Sequence, residues 1–319
     1  MASRLLRAGL AGILACACAP RASCPAKVAI PEAGPVPAAP AGPAPLSPAT
    51  PEERDLAERL RATVTHLAGE IGERNVGRSW NMASATDDLA RTLEKMGYEV
   101  HRQGIVIGDD VVQNLDVRAG GGAHGGEAIV VCAHFDSAAG SPGADDNASG
   151  AAAIVELARL LREKKTDRSV RLALLANGEA PYFGTDHMGS VVYAKGLVAE
   201  GVHVIGMMSL DGIGVYRGPP AAGSPPRDVA LPPGDDFIAV LGNEPSRAFF
   251  TDVAAGMRAH ATMPVATAVL DEKSPLVADS DQWAFWKLGL PAVVITDTGP
   301  VRYAHHHAKA DVTAELDFA

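Results

Sequence analysis

Residues 127–162, EAIVVCAHFDSAAGSPGADDNASGAAAIVELARLLR, leave this chain few folds to choose from. The stretch opens as an unbroken apolar run, 128–133, flanked by Gly-rich sequence and of the length of a buried strand. The run ends on His134-Phe135-Asp136, and a loop of small residues then carries Gly143-Ala144-Asp145-Asp146-Asn147. Behind the loop, Ile154, Leu157, Ala158 and Leu161 recur at helical spacing, with Glu156, Arg159 and Arg162 on other faces. A strand without polar alternation has both faces covered, which is the pattern of a parallel sheet under helices. A His and two adjacent carboxylates at its carboxyl end stand where open α/β sheets place their chemistry.

The rest of the chain repeats that unit. Pro51-Glu52-Glu53-Arg54 starts a helix with Leu56, Leu60, Val64 and Leu67 on one face, and a second helix is predicted over 83–96. Strands are predicted at 104–108 and 111–117 as a meander leading into 128–133, then at 169–176, 202–210, 237–241 and 291–295. Helical segments at 184–199, 247–259 and 278–288 alternate with them, and the Pro/Gly-rich 216–234 reads as a surface loop. Alternation of this kind predicts one α/β domain over 52–319, with a mostly parallel central sheet and helices on both faces.

Charge narrows the function classes. Removing residues 1–51 (four basic, one acidic) from the 28 basic and 38 acidic residues leaves 24 against 37, a net −13. Nucleic-acid binders need a basic face, so no nucleic-acid partner is expected. Residues 1–18 read as a signal peptide, with Arg4 and Arg7 ahead of a short apolar run. Ile13-Leu14-Ala15-Cys16 resembles a bacterial lipoprotein signal, so the expectation is an exported periplasmic or cell-envelope protein, membrane-attached through a lipid on Cys16 or simply secreted. Residues 19–51 form a Pro/Ala-rich linker, with eight prolines within 31–51. Cys16, Cys18 and Cys24 lie in that leader, and Cys132 is a lone core residue, so no disulfide framework is expected.

Side chains able to hold a metal follow four separate strands: His134, Asp136 and Asp145 the first, Glu179 the second, Asp211 the third and His307 the last. Mixed imidazole and carboxylate donors suit zinc, and His134, Asp145, Glu179, Asp211 and His307 exceed what one tetrahedral ion needs. With one carboxylate bridging, the set suits two ions about 3.5–4 Å apart.

The blocks AHFDS (133–137), SPGADDNASG (141–150), GEAPYFGTDHMGS (178–190), MMSLDGIG (207–214), SDQWAFW (280–286) and TDTGPVRYAHHHAKAD (296–311) resemble the M28 zinc metallopeptidases, mainly aminopeptidases, in order and spacing. The resemblance implies a zinc-exopeptidase fold, two Zn²⁺ per chain, and peptide substrates with a free N-terminus. It implies that Asp145 bridges the two ions, that His134 and Asp211 complete one site, and that Glu179 and His307 complete the other. It places Asp136 behind His134, fixing its tautomer. Asp146 or Asn147 would cap the following helix, and His305 and His306 would be bystanders.

One departure bears on activity. The family pattern has two consecutive glutamates before a Pro-aromatic segment, the first a general base and the second a ligand. With Pro181-Tyr182-Phe183 as the anchor, Gly178 occupies the base position and Glu179 the ligand position. Gln282 stands where the pattern has His, and Asp186 is a candidate stand-in base. The expectation is a weakened exopeptidase that a Gly178→Glu change would strengthen. The competing readings are a catalytically inactive binding protein on the same fold and a glutaminyl-cyclase-like enzyme.

Overall fold

The computed structural model describes residues 50–216 and 236–318. The signal segment 1–18 with Cys16, the 19–51 linker apart from its last two residues, and most of the 216–234 loop lie outside them. The described residues belong to one compact unit. Among them, no helix is long and apolar enough to cross a membrane.

Helix α1 (Pro51–Val64) begins on a capping box: Glu53 N–H donates to Thr50 Oγ1, Glu53 Oε2 accepts from Thr50 N–H, and Pro51 fills the first helical position. It runs on through a wider turn, Thr65–Ile71, and α2 (Ser79–Lys95) follows. The remaining helices are α3 (Gly150–Leu161), α4 (Gly189–Ala199), α5 (Arg247–His260), α6 (Gln282–Lys287) and α7 (Gly299–Arg302).

Eight strands form one sheet: β1 (His101–Ile107), β2 (Asp110–Gly120), β3 (His124–His134), β4 (Arg168–Leu175), β5 (His203–Leu210), β6 (Ile238–Gly242), β7 (Val265–Val269) and β8 (Ala292–Thr296), in the order β1-β2-β4-β3-β5-β8-β6-β7. The sheet is mixed, with four of its seven strand pairings parallel as expected: the centre, β4-β3-β5-β8, and the pair β6-β7. Strand β1 joins β2, β2 joins β4 and β6 joins β8 antiparallel. The expected meander into β3 is corrected, because β2 pairs with β4 and β3 lies beyond it. Strand β7, VATAV, escaped the sequence reading because five small residues carry little period-2 signal.

Strand side chains alternate between two cores. Val131 and Ala133, Leu172 and Leu174, and Val293 and Ile295 face the layer of α1, α2, α3 and α5. Val130 and Cys132, Ala173 and Leu175, and Ala292 and Val294 face α4 and α6. With both faces covered and the four central strands parallel, their carboxyl ends share one edge. His134 ends β3, and Asp211 follows β5 directly.

Candidate metal centre

That edge gathers the predicted donors around one carboxylate, and the carboxylate is Asp146. Its Oδ1 lies 3.2 Å from His134 Nε2, which is itself 3.5 Å from Asp211 Oδ1. Its Oδ2 lies 2.9 Å from His307 Nε2, which is 3.3 Å from Glu179 Oε2. The two oxygens of Asp146 thus face two separate donor sets, His134 with Asp211 and His307 with Glu179. His134, Asp146 and Glu179 are almost fully buried, whereas the His307 ring reaches solvent.

This corrects the register by one residue. Asp145 borders the same cleft, but its Oδ1 accepts from Gly214 N–H at 2.9 Å, and the side chain is buried beside Asp297. Burial, with Asp297 and Asp311 beside it, pushes the Asp145 carboxyl well above its usual range. Burial also works against a charge on Asp146, but the His134 and His307 imidazoles outweigh it and hold that carboxyl well below its usual range. Asp146 (φ −112°, ψ 91°) and Asn147 (φ −138°, ψ 47°) are not helical, so helical periodicity could not tell which aspartate faces the cleft. Asn147 takes the helix-end role: its Oδ1 accepts from Gly150 N–H at 3.0 Å and its Nδ2 donates to Leu210 O at 2.8 Å.

Three residues set this geometry from behind. Asp136 Oδ1 lies 3.4 Å from His134 Nδ1, and its carboxylate accepts from Gly178 N–H (2.8 Å) and Glu179 N–H (3.2 Å), tying the end of β3 to the loop after β4. Asp311 accepts from the N–H groups of Asp145 (2.8 Å) and Asp146 (3.2 Å), fixing the backbone that aims Asp146. Arg74 is fully buried, and its guanidinium donates to the carbonyls of Leu67, Gly72, Phe135, Pro142 and Gly143. It clamps the loop between β3 and α3 against the turn after α1. Sequence reading passed over Arg74, because an Arg in a polar loop ordinarily reads as surface.

Gly178 approaches His134 closely. A Cβ at 178 would fall 2.5 Å from His134 Cγ and 2.6 Å from its Cβ. The base position is therefore occupied by the His134 ring as it stands, not by an empty socket. Asp186 does not substitute: its Oδ1 accepts from Lys195 Nζ at 2.7 Å on the exposed surface, away from the cleft. Gln282 is buried and donates to Val277 O. His305 packs edge-on against Tyr303, but His306 is no bystander, since its Nδ1 lies 3.2 Å from Asp146 Oδ2.

The donor set fits zinc. Asp146, Glu179 and Asp211 converge with imidazole nitrogens, and Glu179 Oε1 is buried with no hydrogen-bond partner. Burial disfavours charge on His134, yet Asp211, Asp136 and Asp146 raise its pKa well above the ordinary value. The hydrogen bond to Asp146 leads in pushing His307 up to about 9.

Comparison with known proteins bears on the fold and the family. YfbL of Escherichia coli K12, an uncharacterised protein, is 30% identical over 82% of this chain and 83% of its own. A zinc aminopeptidase from Bacillus subtilis shares the fold at a TM-score of 0.64, with 13% identity, over 82% of this chain and 91% of that one. A glutaminyl cyclase from Bacteroides thetaiotaomicron does so at a TM-score of 0.59, with 17% identity, over 82% and 92%. The family model of peptidase family M28 matches residues 114–318, which include every donor at the sheet edge, and the chain therefore belongs to that family.

Proposed function

We propose that the protein is an exported two-zinc exopeptidase that removes N-terminal residues from peptides, with its proton-transfer step weakened at Gly178. The observation that carries this reading is the division of the Asp146 carboxylate, one oxygen toward His134 and Asp211 and the other toward Glu179 and His307. His134, Asp146 and Asp211 would hold one zinc, and Asp146, Glu179 and His307 the other. When bound, zinc lowers the pKa of water and polarises a peptide carbonyl.

The chain's own residues then orient and neutralise. Asp136 holds the His134 ring with Nε2 toward the cleft, and Asp311 keeps the Asp146 carboxylate between the two donor sets. No side chain at 178 takes a proton, and a positioned base is worth about 10²–10⁴-fold. Export, with Cys16 as the site of lipid attachment or with simple secretion into the medium, belongs to the same proposal and rests on the leader alone.

Gly178 also favours a second reading, a zinc-holding protein that binds peptides without cleaving them. Zinc content and hydrolysis of aminoacyl anilides by the purified protein separate the two. About two zincs per chain with slow turnover supports the exopeptidase. Two zincs with no turnover supports the binding protein, and cyclisation of N-terminal glutamine in place of hydrolysis supports cyclase chemistry. Failure to retain zinc removes all three.

A further inference from the structure

Resting on the two-zinc reading, we propose that His306 is an additional metal ligand, on the side of the centre served by Glu179 and His307. His306 Nδ1 lies 3.2 Å from Asp146 Oδ2, the same oxygen that His307 Nε2 meets at 2.9 Å. The donor atoms of Asp146, His306 and His307 all lie within 4.8 Å of one another. The two rings stack with centroids 3.9 Å apart at 23°. Both residues lie in the turn 304–307, with left-handed backbone at His307 (φ 56°), and both imidazoles are presented to one carboxylate oxygen. His305 is turned instead to the Tyr303 ring, 5.5 Å away and edge-on.

The assignment makes the two ion positions unequal. On the Oδ2 side, Asp146, His306 and His307 would supply three donors, and Glu179, whose Oε2 lies 3.3 Å from His307 Nε2, would supply a fourth. On the Oδ1 side, Asp146, His134 and Asp211 supply three donors, which leaves the fourth position that catalytic zinc keeps open. Gly178, whose backbone lies against His134, borders that side of the cleft.

The test uses the full chain, freed of metal by a chelator and titrated with zinc alone. Imidazole ¹⁵N NMR and competition with a chromogenic chelator are the readouts. The expected result is that His306 Nδ1 shifts on zinc binding together with the bound nitrogens of His134 and His307. His306→Phe, which keeps a ring stacked on His307 but removes the donor, should weaken the tighter site by more than the roughly 10–100-fold that losing an outer partner costs. His306→Ala should do the same, and His305→Ala should leave zinc affinity unchanged. A wild-type protein that binds two zincs with His306 Nδ1 unmoved, or variants within tenfold of wild type, overturns this inference and leaves the two-zinc reading standing. A wild-type protein that binds no zinc overturns both.

Discussion

Gly178 invites a perturbation whose two effects can be separated. A methyl group there would sit 2.5 Å from His134 Cγ, 2.6 Å from Cβ and 2.9 Å from Nδ1. Carbon atoms settle at about 3.5–4.0 Å, so the overlap is roughly 1 Å. Rotation of the ring cannot relieve it, because His134 Cβ is fixed to a backbone that Phe135 N–H ties to Leu175 O at 2.9 Å. Overpacking of this kind costs about 1–3 kcal/mol of stability. Displacing a ligand by about 1 Å costs on the order of 10² in rate.

A carboxylate able to act as base returns about 10²–10⁴-fold, or about 3–5 kcal/mol at about 1.36 kcal/mol per decade. Gly178→Glu measured against wild type therefore mixes two terms of similar size. Gly178→Glu against Gly178→Ala does not, since both carry the same Cβ. Gly178→Ala should melt earlier, bind zinc more weakly and turn over more slowly than wild type. Gly178→Glu should exceed Gly178→Ala in kcat/KM on an aminoacyl anilide by about 10² or more. An alanine variant indistinguishable from wild type would refute the close approach to His134, and a glutamate variant no faster than alanine would refute the missing-base account.

Three further outcomes are expected. Asp146→Asn should abolish retention of both zincs while Asp145→Asn keeps them, read by metal analysis after dialysis; the reverse would restore the register taken from sequence. Arg74→Met, which leaves five carbonyls, three of them buried, without their donor, should lower stability by about 3–5 kcal/mol in urea unfolding, the scale for breaking a buried charged network. His66 joins the turn after α1 to α2 through Glu70 (2.6 Å) and Asp88 (2.9 Å), and the Glu70 hydrogen bond leads in raising its pKa. A raised folded pKa gives stability that is full below about 6.5 and fades as pH climbs through the folded value. His66→Ala should therefore destabilise at pH 5.5 and much less at pH 9, by a small amount because the ring is 42% exposed.

Local signals were enough to set the fold class and to mark side chains that the structure brings to one sheet edge. The apolar runs at 128–133, 169–176 and 291–295 have no polar alternation, which only a sheet covered on both faces tolerates, and His134, Glu179, Asp211 and His307 follow strands at motif spacing. What stayed hidden depends on partners far away in sequence. The choice of Asp146 over Asp145 is made by the backbone of a loop held by Asp311, 165 positions on, and by Arg74 from the turn after α1. His306 could not be told from His305 without the left-handed turn at His307, and Gly178 read as an absent carboxylate until the His134 ring was found against it. Periodicity and motif spacing are written in neighbouring residues. The aim of a side chain in a loop is decided by contacts that exist only once the strands have brought distant segments to one edge.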